Sequence, residues 1–516
     1  MCGVRKRGKQ KSRGEDDDGA RRNSRRVLAL KLLNRSMDAN ALRDALHAAV
    51  QFGFPACARV LIDEGADVDA PTLRSRGATP LHVGAWHGRA ECLRVLIDGG
   101  ADRSSRDDNG AMPLHFAAWK GRVECARLLL LGSRVDAQTR SGGTTALHAA
   151  SRNGYPDCVR ILVEGGAQVD KPRRDGATAL YLAARNGHAG CVRLLIDAGA
   201  KKKNLPLYAA CANGKLECVQ QLVSTENIQE ALLVASKNGR LATARFLIDK
   251  GVDLRNSLHV ACENGRLACA RLLIDSGADV EKPRSSSGGV TPLHLACENG
   301  HTACAQLLID SSADVEKPDK SGLTPLHLAS KKGRSSCLFL LIDYGGSLVE
   351  KATHDGSTAL HFAVENGHIS CARLLISRGA EVDCARFSAG GPLFESCWDA
   401  ASSVEDGVDL SIVGVEDGAT PLHLACLNGR VDCATFLIQR GADVDKLAAG
   451  MTPLHIAAVR GHVACVRLLI DYGADVKLLP RDIAKTPRVR QMLLEAEAMS
   501  VLLSRADCWG CKLLIK

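Results

Sequence analysis

The sequence predicts an all-α solenoid in which short helix-turn-helix units stack on one another along the chain. A word similar to "TPLH" recurs thirteen times, and the spacings between its copies cluster at 32–35 residues, a period typical of repeat architectures. Aromatic residues make up 3% of the chain and apolar residues 46%, which suits thin layers of small side chains. The fourth position of the word holds His47, His82, His115, His148, Tyr181, Tyr208, Leu233, His259, His294, His327, His361, His423 and His455.

One complete unit, "GVTPLHLACENGHTACAQLLID" at residues 289–310, shows why each unit folds as two helices. Thr291 is a favourable N-cap, and the proline after it takes the first helical position, where a missing N–H is no loss. Leu293, Ala296 and Cys297 form an apolar stripe with helical spacing. Gly300 permits the left-handed turn that ends the first helix. The second helix carries its own stripe, so both stripes are buried only when units stack.

The remainder of each unit also repeats, as "NG" or a variant, then "xxCxxLLID" and "GADV". In these motifs the sequence closely resembles the ankyrin repeat family, with thirteen clear units over roughly residues 40–480. The resemblance implies a helical hairpin plus a β-turn finger in each unit. It also implies that the motif histidine is structural and that partners bind the concave surface formed by the fingers and first helices.

Departures from the period divide the chain. Between Tyr181 and His259 the spacings fall to 27, 25 and 26 residues, which predicts units without most of the finger. Between His361 and His423 the gap is 62 residues, and the segment between the units is either a degenerate unit or an acidic insertion. The predicted segments are a disordered basic arm (1–26), an N-terminal capping helix (27–39), units 1–5 (40–200), units 6–7 (201–254), units 8–11 (255–384), the degenerate unit or insertion (385–417), units 12–13 (418–479), a C-terminal capping unit (480–500) and a tail (501–516).

Composition limits the class and the compartment of the protein. No run of 18 apolar residues exists, so no membrane span is expected, and the N-terminus lacks the apolar region of a signal peptide. The 21 cysteines are odd in number and spread over the chain, which favours reduced thiols in the cytosol or nucleus. We therefore expect a monomer in the cytoplasm, with the nucleus as the alternative.

The N-terminal arm is strongly basic. Residues 1–26 carry ten basic and four acidic side chains, which supply +6 of the formal net charge of +9. Such a composition has almost nothing to bury and is typical of disorder. It fits a nuclear localisation signal, a docking arm for acidic partners or a solvated tail. Ser24 follows Arg21 at the spacing that basophilic kinases use, so it is a candidate phosphorylation site.

The cysteines and histidines invite a search for a metal or redox site. Sixteen of the 21 cysteines occupy two fixed positions of the unit, and ten histidines occupy the fourth position of the word. A zinc site needs four ligands that converge on one point, whereas one thiol per unit predicts packing atoms. The pair Cys508 and Cys511 in "CWGC" has neither a preceding strand nor a second pair, and its role stays open. We expect no catalytic residue, no metal and no cofactor.

The position four residues after the motif histidine is not set by the core, so its residue type is informative. In adjacent units it holds Trp86 and Trp119, and exposed tryptophan beside basic side chains is a typical hot-spot composition. The alternative is that each tryptophan only packs on a neighbouring helix. The candidate partner-binding residues are Phe52, Trp86, Trp119, Lys120, Arg152, Arg185, Glu263, Glu298 and Glu365. Basic residues of the first five fingers are Arg74, Arg76, Arg103, Arg106, Lys171, Arg173, Arg174 and Lys201 to Lys203.

These residues predict a bipolar surface, aromatic and basic in the N-terminal half and acidic later. We therefore expect a non-enzymatic scaffold or adaptor that binds partner proteins, with an acidic or extended segment of the partner on the N-terminal half. The alternative is a nuclear regulatory protein whose arm and fingers contact nucleic acid or chromatin. It is disfavoured because the fingers lack interleaved aromatic residues. An enzyme or ligase adaptor is the third class, but the segments outside the repeats are too short for a catalytic domain.

Overall fold

The structure is a computed structural model that describes residues 38–71, 76–201, 204–254, 256–284, 288–345, 348–386, 418–476 and 486–508, with side chains to Ala498. The basic arm with Ser24, most of the predicted N-terminal capping helix, residues 387–417 and Cys511 lie outside this part of the chain, as does the side chain of Cys508. The chain divides into two compact units, Met1–Ala231 and Leu232–Lys516.

Over these residues the fold is all-helical, with an isolated bridge between Ala448 and Met451 as its β-type pairing. The α-helices are α1 (Ala39–Phe52), α2 (Pro55–Asp63), α3 (Pro80–His87), α4 (Ala90–Asp98), α5 (Pro113–Lys120), α6 (Val123–Leu130), α7 (Ala146–Asn153), α8 (Pro156–Glu164), α9 (Ala179–Asn186), α10 (Ala189–Asp197), α11 (Asn204–Asn213), α12 (Leu216–Leu222), α13 (Ile228–Lys237), α14 (Leu241–Ile248), α15 (Ser257–Glu263), α16 (Leu267–Asp275), α17 (Pro292–Asn299), α18 (Thr302–Asp310), α19 (Pro325–Lys331), α20 (Ser335–Tyr344), α21 (Ala359–Glu365), α22 (Ile369–Ser377), α23 (Pro421–Leu427), α24 (Val431–Gln439), α25 (Pro453–Arg460), α26 (Val463–Asp471) and α27 (Pro487–Cys508), with a 3₁₀ turn at Leu348–Glu350.

The helices form pairs, and like helices of neighbouring pairs pack on each other. Within each compact unit, first helices pack on the first helices of the neighbouring pairs, and second helices pack in the same way. In the first compact unit the row of first helices is α3, α5, α7, α9 and α11, and the row of second helices is α2, α4, α6, α8, α10 and α12. In the second compact unit the row of first helices is α15, α17, α19, α21, α23 and α25, and the row of second helices is α14, α16, α18, α20, α22, α24 and α26. Thin layers of leucine, alanine, valine and cysteine fill the space between the rows. The predicted solenoid of helix-turn-helix units is therefore confirmed.

The first helix α17 begins and ends where the residue pattern predicts. Before α17, Thr291 has extended backbone, and Pro292 opens the helix. Gly300 ends it with φ +80°, in the left-handed region that glycine adopts without strain. Its backbone N–H donates to Cys297 O at 3.2 Å, which satisfies one of the carbonyls left at a helix end.

The motif histidine joins one unit to the next. At His294, Nδ1 accepts from the backbone N–H of Thr291 at 3.2 Å and from its hydroxyl at 2.8 Å, while Nε2–H donates to Leu323 O at 3.0 Å. His82 makes the equivalent bonds to Thr79 and to Ala111 O. The ring therefore caps the N-terminus of its own helix and binds the finger that leads into the next unit.

The fingers are turns that stack on one another. In one of them Asp107 N donates to Ala111 O at 2.9 Å and Gly110 N donates to Asp107 O at 2.8 Å. The tip is tied to the next finger by Arg140 N, which donates to Asn109 O at 2.7 Å. In the region of units 6 and 7 the helix pairs are instead joined by the short segments 198–203, 223–227 and 249–256. These leave no room for a finger of the ordinary length.

The units on either side of residues 387–417 contact each other directly. Helix α21 packs on α23, and His361 Nε2–H donates to Ala419 O at 3.1 Å, as a motif histidine does toward the next unit elsewhere. The chain ends at this junction are also bonded, because Gly418 N donates to Arg386 O at 2.7 Å and Arg386 N donates to Ala419 O at 3.0 Å. These contacts leave no space between the two units for another stacked helix pair.

Replacement of residues 387–417 by a glycine–serine linker of about eight residues is expected to keep the stack intact. Since the junction bonds lie outside the replaced segment, the free energy of unfolding should stay the same or rise by about 1 kcal/mol through the shorter loop. Urea unfolding of both proteins measures this. A loss of several kcal/mol would instead mean that the segment supplies a packed unit.

At the C-terminal end, α27 packs on α26 and buries Val489 and Leu493. The helix begins within the segment 480–500 expected to cap the stack, and it continues to Cys508 in the predicted tail. It packs on α26, the final helix of the repeating units. None of the helices in the described ranges is both long enough and apolar enough to cross a membrane.

Candidate partner-binding surface

In four consecutive units, the last turn of the first helix carries an exposed residue. In α3, Leu81, His82 and Ala85 are buried, whereas the next residue, Trp86, is 37% exposed. Trp119 in α5 has the same exposed fraction, and Arg152 in α7 and Arg185 in α9 are exposed at the same position. The structure thus brings four of the predicted residues onto one face of four consecutive units. We call Trp86, Trp119, Arg152 and Arg185 the Trp–Arg face.

Each tryptophan of the Trp–Arg face also contacts the following unit. The ring of Trp86 meets the edge of Phe116 with centroids 5.8 Å apart, and Lys120 Nζ lies 4.0 Å from its centroid. The guanidinium of Arg152 lies 5.5 Å from the centroid of Trp119. Such cation–π contacts contribute roughly 0.5–1 kcal/mol at exposed sites. The rings are therefore held in place by packing while more than a third of their surface stays exposed.

Phe52 lies at the end of α1 and is 61% exposed. Its ring stacks on Phe54 with centroids 6.4 Å apart. It belongs to the first unit, next to the unit that carries Trp86, and extends the exposed aromatic surface beyond the Trp–Arg face.

A second contact, which reasoning from the sequence missed, fixes the backbone of this face. The residue after "NG" reaches back to the carbonyl of the face residue in the preceding unit: Arg89 Nε donates to Gln51 O at 3.2 Å and His188 Nε2 donates to Arg152 O at 3.0 Å. The signal was present in the sequence, because this position holds Arg, His, Lys or Tyr from unit two onward. A donor near a helix C-terminus satisfies a free carbonyl and complements the helix dipole.

The cations on and beside the Trp–Arg face are Lys120, Arg152 and Arg185. In the part of the chain that the structure describes, no ion pair includes Lys120, Arg152 or Arg185. The face is therefore electropositive and open to a carboxylate from outside.

Several basic finger residues are engaged within the stack. Arg103 donates to Leu131 O, Arg106 donates to Gln138 O at 3.2 Å, and Lys171 Nζ donates to Asp136 O at 3.0 Å. Arg173 pairs with Asp175 at 3.4 Å. These cations stabilise finger stacking, which leaves fewer of their N–H groups for phosphates. Arg74, Lys202 and Lys203 lie outside the described ranges.

The three predicted acidic residues are paired with basic side chains of their own stack. Glu263 contacts Arg284 at 3.4 Å. Glu298 contacts Lys332 at 3.6 Å, and Glu365 contacts Arg386 at 3.5 Å. All three are half-buried rather than fully exposed. The sequence could not show these pairs, because the partners come from fingers or neighbouring turns. The negative end of the expected bipolar surface is largely neutralised.

Comparison with known families decides what this stack is. The family model described as "Ankyrin repeats (3 copies)" matches in overlapping stretches from residue 20 to residue 386 and again over residues 399–479. The chain belongs to the ankyrin repeat family. Ankyrin repeats generally mediate protein–protein interactions, and proteins of this family are typically non-enzymatic interaction modules.

Among solved structures, this ankyrin repeat protein matches the crystal structure of the human ASB11 ankyrin repeat domain. The two are 30% identical, and the match covers 46% of this chain and 96% of that domain, with a TM-score of 0.36. A comparison with curated proteins finds no match.

Burial lowers the pKa of several motif histidines of this ankyrin repeat protein. Burial lowers the pKa of His294, and it lowers the pKa of His148, His327, His361 and His423 to about 4. At His294 both ring nitrogens are already occupied by hydrogen bonds, which leaves no lone pair for a metal. In the described ranges no group of three or more His, Cys, Asp or Glu side chains could hold a metal ion.

Most cysteines of the core are inert thiols. Burial raises the pKa of Cys92, Cys125 and Cys158 to about 11, well above the range of reactive thiols. Cys337 differs: hydrogen bonding from the Cys297 thiol of the preceding unit and from the Thr302 hydroxyl, 3.4 Å away, lowers its pKa to about 7. Both sulfurs are buried, so this pair is part of the packing between units 9 and 10.

Proposed function

We propose that this protein is a non-enzymatic scaffold or adaptor in the cytoplasm that binds partner proteins through the Trp–Arg face. The proposal rests on its exposed tryptophans in adjacent units, which lie beside cations that form no ion pair with any side chain the structure describes. Tryptophan and arginine are the residues that most often dominate binding energy at interfaces. An acidic or extended segment of the partner fits this face, and the protein acts as a monomer.

Binding of nucleic acid is the weaker alternative. Proteins that track single strands stack bases on aromatic residues within a continuous basic groove. Here the two tryptophans are covered on one side by Phe116, Lys120 or Arg152, and several finger cations are bound to backbone carbonyls. This arrangement favours a protein segment over a nucleic acid.

The double variant Trp86→Ala with Trp119→Ala is expected to reduce partner capture strongly. Loss of one hot-spot tryptophan typically removes about 2 kcal/mol of binding free energy, so the pair should reduce captured partners at least about tenfold. The measurement is affinity purification of the full-length tagged protein with quantitative mass spectrometry.

The matched control is Phe339→Ala with Tyr472→Ala, which removes two exposed aromatic rings that lie outside the first helices. Both double variants are first checked by circular dichroism and thermal unfolding. If the two captured the same partners at the same level as the parent protein, the tryptophans would be structural and the proposal wrong. A nuclease-treated sample tests the nucleic-acid alternative, since retention by DNA or RNA would be lost on digestion.

A further inference from the structure

The Trp–Arg face has an order as well as a composition. Two aromatic side chains, Trp86 and Trp119, are followed in the next two units by two guanidinium groups, Arg152 and Arg185. All four lie at the same position on the last turn of successive first helices, which pack directly on one another. A ligand that runs along the stack therefore meets two apolar positions and then two cationic positions at a constant interval.

That interval selects the backbone conformation of the ligand. Packed helices lie about 8–10 Å apart, so this is the distance from one face position to the next. In a β-strand, side chains on one face recur about every 7 Å, or every 13 Å when one is skipped, and neither value matches. A polyproline II helix has three residues per turn and a rise of about 3.1 Å, so side chains on one face recur about every 9 Å. Polyproline II is the extended conformation whose repeat fits the stack.

The charges select the side chains. Arg152 and Arg185 take part in no ion pair among the described side chains, and each guanidinium can donate two parallel N–H bonds to one carboxylate. Trp86 and Trp119 offer ring surface to apolar groups, and the fixed ring positions lower the entropy lost on binding. The face positions Glu263, Glu298 and Glu365 of the second compact unit are already paired, so they do not provide an equivalent site.

We infer that the Trp–Arg face is a linear recognition site for a polyproline II segment with four contact residues at three-residue intervals, two apolar and then two acidic. The apolar residues lie on Trp86 and Trp119, and the acidic residues bind Arg152 and Arg185. This inference rests on the proposed function, because it names the partner chemistry of the same face.

Synthetic peptides test the interval directly. The probe is a fluorescein-labelled peptide of about ten residues with leucine at two and glutamate at the next two contact positions, separated by prolines at the three-residue interval of polyproline II. A second peptide has the reverse order, since the chain can run in either direction along the face. The control has the same composition, with the contact residues moved to every second position. Fluorescence anisotropy with the full-length protein at low salt measures binding.

One of the two ordered peptides is expected to bind about tenfold or more tightly than the permuted control, and the Trp86→Ala, Trp119→Ala variant should lose most of this binding. Exposed ion pairs contribute less, so Arg152→Ala with Arg185→Ala should weaken binding only about two- to tenfold and flatten its salt dependence. Arg160→Ala with Arg193→Ala removes the same charge from the second helices of the same units and should leave binding unchanged.

A charge exchange separates recognition from folding. The variant Arg152→Glu with Arg185→Glu should reject the glutamate peptide and bind the peptide in which lysine replaces glutamate. If neither ordered peptide binds more tightly than the permuted control, the inference is wrong, while loss of partner capture on Trp86→Ala, Trp119→Ala would still support the proposed function. If partner capture is also unaffected by Trp86→Ala, Trp119→Ala, then both the inference and the proposed function are wrong.

Discussion

Acidification from pH 7 to pH 4.5 is expected to unfold the stack mainly through its buried histidines, because this range lies above the ordinary pKa of carboxylates. Burial lowers the pKa of His148, His327, His361 and His423 to about 4, whereas a histidine in the unfolded chain titrates near 6.5. Between these pH values the unfolded chain binds protons that the folded chain cannot accept. The free energy of unfolding therefore falls as the pH falls from about 6.5 to about 4, and the histidine contribution is fully present above 6.5.

The size of the effect follows from the shifts. Each of the four histidines contributes about 3 kcal/mol between the two limits, so together they contribute on the order of 10 kcal/mol. The stability of a typical domain is only about 5–15 kcal/mol. Because a solenoid unfolds in segments, the units that carry these histidines should open first.

Urea unfolding at pH 7.0, 6.0, 5.0 and 4.5, followed by circular dichroism, measures the slope. The variant His327→Gln provides a control, since it removes one titrating ring. It should be less stable at pH 7, through loss of the bonds to Thr324 and Lys351, and less sensitive to pH between 6.5 and 4.5. A free energy of unfolding that stays constant from pH 7 to pH 5 would contradict the expected proton linkage.

The repeating part of the sequence predicts most of the fold because each unit obeys the same local rules. Thr291, Pro292 and Gly300 mark the ends of α17 in the sequence and do so in the structure. The exposed position of Trp86 and Trp119 also follows from helical periodicity, because the core determines which neighbours are buried.

What the sequence did not reveal are contacts between units. Glu263 looks like a free acidic side chain until Arg284, from the finger that follows it, is placed within 3.4 Å. Likewise, the 62-residue gap before His423 has the length of two units, yet His361 bonds directly to Ala419 across it. A contact between residues this far apart in the chain can be predicted only when the register of the stack is known. A single sequence does not show that register.

A single added methyl group is expected to have a large effect at Gly265, between α15 and α16. Its φ of +66° lies in the left-handed region, and a Cβ there would lie 2.5 Å from the His301 ring. The ring passes over this glycine because His301 Nε2 donates to Glu263 O at 3.2 Å. Gly265→Ala therefore combines left-handed strain with displacement of the ring and loss of its hydrogen bond, and should destabilise the protein by about 3 kcal/mol.

Gly277 offers a matched control in the same unit, because its φ is +89° but a Cβ added there would meet no heavy atom within 4 Å. Gly277→Ala should therefore show the strain alone, about 1 kcal/mol. In the variant Gly265→Ala with His301→Ala the ring is absent, so its destabilisation should be smaller than the sum of the two single changes by about 1–2 kcal/mol. Equal losses at Gly265 and Gly277, with additive effects in the double variant, would show that the ring is not held over Gly265. The difference matters for binding, since the same type of contact from His188 fixes the backbone of Arg152 in the Trp–Arg face.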